Sequence, residues 1–356
     1  MLNFDGLDTH EIYMHRCLQL AELGSGHVAP NPMVGAVLVY DSMIIGEGYH
    51  MQYGQAHAEV NCINSVPEAS RHLINKSTLY VSLEPCNHFG KTPPCSALII
   101  EQGIPAVVIA CKDPFEKVNG TGIQRLKDAG VNIITGVLEK EALEMNRRFF
   151  TFHQQQRPYI ILKWAQSQDQ KIANADRSPV KISNAFSDRL VHQWRSEEAA
   201  IMVGTKTALH DDPMLTSRLW PGKDPTRVVI DKNLELPSIL QLFDQSVPTI
   251  ILNYIKQDTD GNNSYDKIPE GEDLVTATMN SLRKRDLTSL IVEGGAMLIQ
   301  SFIDKGYWDE ARVITNEELL IKDGIPAPVL KNTRLLNTEK LLTDEIRYYK
   351  PHDQLK

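Results

Sequence analysis

The chain has 356 residues, 42% hydrophobic and 23% charged, the balance of a globular protein long enough for two domains with separate cores. Its formal net charge of −8 argues against a general nucleic-acid binder, because displacing phosphate counterions takes an excess of Lys and Arg; a local basic pocket for one phosphate ester stays open. No segment reaches the roughly 20 apolar residues of a membrane span, the N-terminal MLNFDGLDTHEIYMHR has no signal-peptide core, and five cysteines are too few for a disulfide framework. Free thiols in a reducing cytoplasm, and a small-molecule partner rather than a membrane or nucleic acid, are the expectation.

Residues 9–24 place Ile12, Met14, Leu18, Leu20 and Leu23 at helical spacing and stop at Gly24. VGAVLVY and MIIGEGYH then read as a hairpin turning at Asp41-Ser42. HAEVNCINSV reads as a helix, TLYVSLEP as a strand, CSALIIEQG as a helix and AVVIACKDP as a strand, an alternation that makes a layered α/β domain. Periodicity breaks in NRRFFTFHQQQRPYI, which sets a first domain at 1–148 and a second at 158–356. Beyond it PYIILKWAQ, AAIMVG, TRVVID, VPTIILNYI, LTSLIVEGG and DEARVITN read as strands, with helices at SDRLVHQWRSE and AMLIQSFIDKG. QDTDGNNSYDKIPEGED has the composition of a surface loop.

The first candidate site is His57-Ala58-Glu59 with Cys86 and Cys95. One imidazole and two thiolates supply three zinc ligands and leave a fourth position for water, as in a catalytic site. A closed structural site with His88 as fourth ligand is the alternative, and it leaves Glu59 without a task. Residues two apart on a regular helix do not share a face, so His57 and Glu59 converge only in a first turn with the metal beyond the helix end. Cys95 should likewise open a helix, where the dipole favours a thiolate. Cys17 and Cys62 read as core residues, and Cys111 carries no assigned chemistry.

HAE followed by PC…C resembles the zinc nucleoside and nucleobase deaminases, in which the glutamate carries protons and does not bind metal. With eight residues between Cys86 and Cys95, and with PNPMVG at 30–35 and GEGYH at 46–50, it resembles more narrowly the deaminase half of the bifunctional riboflavin-biosynthesis deaminase–reductases. The resemblance implies a diaminopyrimidinone substrate bearing a ribosylamino 5-phosphate, with Asn31, His50, His88 and Lys91 lining its pocket and Glu59 as the catalytic proton carrier. For His50 and His88 individually a packing or surface role stays open. Where that family has Asp-Pro-Asn, this chain has Asp113-Pro114-Phe115.

The second half contains no metal-ligand spacing, no GxxxxGKS and no GxGxxG. SLIVEGGAMLIQSF delivers Glu293 on a strand, then two glycines that admit close backbone approach, then a helix start able to hold an anion; a helix merely begun by a flexible turn is the plain alternative. Together with AAIMVGTKTALHDDPMLTSR, Lys163 and Arg195, it resembles the reductase half of the same family, related in fold to dihydrofolate reductase. The implied fold is a cytidine-deaminase-like three-layer domain followed by a dihydrofolate-reductase-like domain.

By this resemblance NADPH is held by Thr207, Asp211 and the turn of Gly294, Gly295, Ala296, Met297 and Leu298, and the phosphorylated substrate by Lys163, Arg195, Leu215, Arg218 and Glu293. The implied step is hydride delivery to C1 of the opened ribose, turning ribosylamino into ribitylamino, with a homo-oligomer as the implied assembly. Two departures stand out: Ser167-Gln168-Asp169-Gln170 replaces Ser-Leu-Asp-Gly, and Lys181-Ile182 replaces Trp-Ile. Lys232 after RVVID could meet a 2′-phosphate, which Asp231 beside it would repel. Two further readings stay open: a deaminase whose second half is catalytically degenerate, and a nucleic-acid-editing deaminase with an accessory binding domain.

Overall fold

The computed structural model describes residues 9–87, 93–115 and 119–352, and the chain divides into two compact units between Gln156 and Arg157. The first unit runs α1 (Thr9–Glu22), β1 (Gly35–Tyr40), β2 (Met43–Tyr49), α2 (Ala58–Asn64), β3 (Thr78–Leu83), α3 (Cys95–Glu101), β4 (Ala106–Cys111), α4 (Thr121–Asp128), β5 (Asn132–Thr135), α5 (Glu139–Met145) and α6 (Arg147–Gln154). Its sheet has the order β2-β1-β3-β4-β5, with β1 antiparallel to both β2 and β3 and the β3-β4-β5 side parallel. The hairpin turns where expected, with Asp41 and Ser42 both at positive φ, the conformation that matches the twist of paired strands.

Both faces of this sheet are covered, so its strands alternate between two cores. Ala36, Leu38, Leu79 and Val81 join Cys62, Ile99 and Ile123 on one side, whereas Val37, Val39 and Tyr80 join Cys17, Leu18 and Phe149 on the other. The glycines of GEGYH follow from this layering. A Cβ on Gly48 would stand 2.2 Å from Cys62 N, and one on Gly46 2.6 Å from Cys62 O, so β2 can lie against α2 only without side chains there.

The second unit contains β6 (Tyr159–Ser167), β7 (Lys171–Asn174), α7 (Ala185–Glu197), β8 (Ala200–Val203), α8 (Thr205–Asp211), β9 (Thr226–Ile230), β10 (Thr249–Asn253), β11 (Asp258–Asp260) and β12 (Asn263–Lys267). It continues through α9 (Leu274–Arg283), β13 (Ser289–Val292), α10 (Ala296–Lys305), β14 (Glu310–Asn316), β15 (Gly324–Pro326), β16 (Thr333–Leu341) and β17 (Asp344–Pro351). Ten strands form one sheet in the order β11-β12-β10-β9-β8-β13-β6-β14-β17-β16, parallel from β12 to β14, and β15 pairs separately with β7. α9 and α10 cover one face over Leu162, Val228 and Val292, while α7 and α8 cover the other over Ile161, Val203 and Ile291.

One expectation is corrected here: the polar stretch read as a loop contains β11 and β12, and β12 extends the parallel sheet beside β10. β11 is the exposed edge strand of the sheet, and Tyr265 of β12 packs against the core.

Candidate functional site

In the first unit three elements deliver the ligand set to one point. His57 is the N-cap of α2, Cys95 is the first residue of α3, and Cys86 follows β3. His57 Nδ1 lies 3.6 Å from Cys86 Sγ and 3.3 Å from Cys95 Sγ, and the three ligand atoms fall within 4.8 Å of one another. Tetrahedral zinc with bonds of about 2.1–2.3 Å has ligand–ligand edges of about 3.6 Å, so this donor set fits the ion. Among the described residues it is the one such group of three.

The electrostatics suit a cation. Cys86 is pulled down to about 4, first by the hydrogen bond from the Cys95 thiol and then by His57, while that same bond and burial push Cys95 up. The Cys95 backbone N–H also donates to Cys86 Sγ at 3.3 Å. Glu59, in the first turn of α2 and 3% exposed, is raised above the usual carboxylate range by burial and by Cys86, and its side chain meets Cys95. The residues thus meet as the two-apart argument requires.

Behind the ligands, His50 is 3% exposed; Asn31 Nδ2 lies 3.1 Å from its Nε2 and Ala56 O lies 3.0 Å from its Nδ1. Since the carbonyl accepts, Nδ1 carries the proton and Nε2 accepts from Asn31. His50 therefore holds the residue preceding His57 and stands edge-on to the His57 ring at 5.5 Å. His88 and Lys91 lie outside the described residues. Phe115, in place of the family asparagine, turns its ring to His153 of α6 at 5.1 Å, and Cys111 is buried in the core.

Glu84 escaped the sequence reading. Buried at 3% exposure, it accepts from the backbone N–H of Gly122 (3.0 Å), Ile123 (3.1 Å), Gly120 (2.9 Å) and Asp113 (3.3 Å). It clamps the start of α4 onto the turn leading to Cys86, and Gly122 fits because a Cβ there would stand 2.0 Å from Pro85 O. A buried acid two residues before a ligand was the signal available.

In the second unit, Gly204 and Glu293 follow the carboxyl ends of β8 and β13, and Lys163, in the middle of the adjacent parallel strand β6, lies level with them. Arg195 of α7 grips Glu293 with two bonds of 2.8 Å from Nε and Nη2, and its Nη1 donates to Thr216 O at 3.2 Å. Lys163 Nζ reaches Glu293 at 3.5 Å. Burial would raise Glu293, but Arg195 and Lys163 win and hold it down to about 2. Three of Arg195's nitrogens are thus engaged within the protein, whereas Arg218 is exposed.

The glycine turn packs as its composition suggests. A Cβ on Gly294 would stand 2.8 Å from Thr207 Cγ2 and from Val203 Cγ1, and Gly295 takes φ +76. Gly204 faces Leu298, so Gly204, Thr207 and the Gly294–Leu298 turn share one place; Met297 is exposed there and Asp211 ends α8. Bare backbone at this turn suits a dinucleotide. Leu215 is buried with φ +55.

At the departures, Gln170 holds φ +58, the left-handed conformation its glycine counterpart adopts without cost, and Lys181 is exposed and paired with Asp188 at 3.1 Å. Asp231, expected from sequence to repel a phosphate at Lys232, turns its carboxylate inward to accept from the N–H of Glu235 (2.9 Å) and Leu236 (3.0 Å).

Residues 7–111 match the family described as the cytidine and deoxycytidylate deaminase zinc-binding region, and residues 158–319 the RibD C-terminal domain. The riboflavin biosynthesis protein RibD of Aquifex aeolicus is 39% identical over 315 residues, 86% of this chain and 87% of that protein. That of Escherichia coli is 33% identical over 360 residues, 96% of this chain and 97% of that protein. The solved diaminohydroxyphosphoribosylaminopyrimidine deaminase/5-amino-6-(5-phosphoribosylamino)uracil reductase of Thermotoga maritima matches with a TM-score of 0.87 at 32% identity, covering 96% of this chain and 99% of that one. Acinetobacter baumannii RibD matches at 0.88 and 29%, with the same coverage. Among the described residues no helix is long and apolar enough to cross a membrane.

Proposed function

Because the chain belongs to the RibD family and is a bifunctional riboflavin-biosynthesis enzyme, using zinc to deaminate its pyrimidine and NADPH to reduce the ribosyl group, we propose the residues that carry each step. His57, Cys86 and Cys95 hold the metal, and Glu59 is the proton carrier. The supporting observation is the convergence of these three donors with a buried carboxylate of raised affinity for protons beside them. When bound, zinc makes water acidic enough to attack at neutral pH. Glu59 takes the proton released by that water and gives it to the leaving exocyclic nitrogen, a task suited to a group whose burial already favours its protonated form. Asn31 and His50 orient the ring, and His88 and Lys91 complete the pyrimidine and phosphate contacts.

The reductase reading assigns NADPH to Thr207, Asp211 and residues 294–298, and the substrate to Lys163, Arg195, Leu215, Arg218 and Glu293. NADPH supplies the hydride; the protein positions it and binds the phosphate. With Arg195 committed to Glu293 and Thr216, Arg218 is the cation with the freer hydrogen-bonding fork for that phosphate. The domain division at 1–148 and 158–356, a cytoplasmic setting consistent with the Cys86 and Cys95 thiols, and a homo-oligomer belong to the same reading. Relatives of full length that carry both halves weigh against an editing deaminase or a degenerate second half.

Metal analysis paired with deamination of the diamino substrate tests the first site. Glu59→Gln retains about one zinc per chain and loses deamination by about 100-fold or more, whereas Cys95→Ser loses both. A Glu59→Gln protein that deaminates normally overturns the proton-carrier assignment.

A further inference from the structure

The loop that carries Asn31 is poor in backbone donors. It reads Ala29-Pro30-Asn31-Pro32-Met33, and neither proline has an N–H. The Asn31 N–H is used locally, donating to Val28 O at 2.9 Å. Pairing resumes only where the His50 N–H donates to Val34 O at 2.9 Å and β1 begins at Gly35. The Met33 peptide lies between these ties and has to find its partners elsewhere in the fold.

Asn146, 113 positions later, supplies both. Its Oδ1 accepts from the Met33 N–H at 2.8 Å, and its Nδ2 donates to Met33 O at 2.9 Å. One amide thus satisfies both backbone groups of a single residue, as the opposite member of an antiparallel pair would, and two bonds fix the tilt of that residue as well as its distance. Asn146 is 3% exposed. It sits where α5 ends and α6 begins, in the N-cap position of α6, yet its side chain makes no cap bond there. The side chain serves the loop and not the helix. Two residues before Met33, Asn31 is held at its other end, its Nδ2 donating to His50 Nε2 at 3.1 Å. Main chain and side chain of the loop are therefore tied to different elements, Met33 to the α5–α6 junction and Asn31 to the residue that follows β2.

We propose that Asn146 is a positioning residue of the deaminase: its amide holds the Met33 main chain so that Asn31 is set against the pyrimidine ring. This rests on the reading of Asn31 given above. Both contacts need a donor and an acceptor side by side, which an ionised aspartate of the same shape lacks.

The test is steady-state deamination of the diamino substrate by the zinc-loaded intact chain, with zinc content measured on each protein. Asn146→Ala removes both contacts and raises KM about tenfold, equivalent to about 1.4 kcal/mol. Its kcat and zinc content shift far less, because Glu59 and the metal ligands lie on α2, α3 and the turn after β3. Asn146→Asp keeps an acceptor for the Met33 N–H but sets a second acceptor against Met33 O, and it too raises KM. A double-mutant cycle separates positioning from a general loss of stability. If Asn146 acts through Asn31, then Asn146→Ala adds little to KM once Asn31→Ala is present, whereas independent effects would multiply. An unchanged KM in Asn146→Ala, loss of zinc in step with activity, or multiplied effects in the double variant each overturn the proposal. Should the alanine variant not fold, the aspartate variant takes its place in the cycle and the same outcomes decide. Asn31→Ala alone checks the underlying reading: if it leaves KM unchanged, that reading of Asn31 fails, whereas a raised KM there with both Asn146 variants at the wild-type value removes this proposal alone.

Discussion

Single residues in this chain acquire their roles from the charge around them. Glu293 and Glu59 are both buried carboxylates, yet one is held ionised by two cations and the other is pushed toward its protonated form. The first is suited to hold arginine and lysine in place, the second to move a proton. Glu293 has a folded value of about 2, below its ordinary 4.5, so its stabilising contribution is present above pH 4.5 and is lost as pH falls toward 2. Glu293→Gln, which leaves Arg195 and Lys163 without their counter-charge, is therefore less stable than the wild type at pH 7. The gap narrows below about pH 4.5, as urea unfolding across that range will show; a gap independent of pH would mean that Glu293 is not ionised in the fold. From sequence alone, the acid in VEGG was visible as a candidate. Its partner Arg195 lies 98 positions earlier, and no local pattern announces such a pairing.

At the scale of elements, the sites depend on where helices begin and how closely strands approach them. His57 and Cys95 were placed at helix starts from the two-residue spacing of HAE and the onset of CSALII, and α2 and α3 start there. The layered alternation and most strands were legible because both sheets are covered on two faces, which gives short apolar runs. α9 went unread although Val275, Met279 and Leu282 are buried at helical spacing; other unread segments lacked such a signal. Among the latter, β16 and β17 form an edge hairpin whose first strand is largely exposed. Glu84 was missed for another reason: its partners are backbone N–H groups of a later loop, which carry no side-chain code.

Two element-scale predictions follow from the glycines. Gly48→Ala places a methyl 2.2 Å from Cys62 N, so α2 must move and take His57 with it. The variant loses about 1–3 kcal/mol of stability in the first unit, together with zinc and deamination, and keeps reduction; unchanged zinc content would show that β2 does not set the position of α2. At Gln170 the reverse holds. Replacing this left-handed residue by glycine relieves about 1 kcal/mol of backbone strain, and thermal unfolding of Gln170→Gly should report a gain rather than a loss.

Over the whole molecule, each unit has its own sheet, its own two cores and its own site, so damage to one chemistry need not reach the other. What joins the steps is the substrate: the second reaction needs the product of the first. The most direct measurement is NADPH oxidation by the purified zinc-loaded chain given only the diamino substrate, with wild type and Glu59→Gln side by side. The account predicts oxidation by the wild type, none by Glu59→Gln, and full recovery of the variant when the deaminated intermediate is supplied. Oxidation by Glu59→Gln on the diamino substrate, or none by the wild type on either compound, would contradict it.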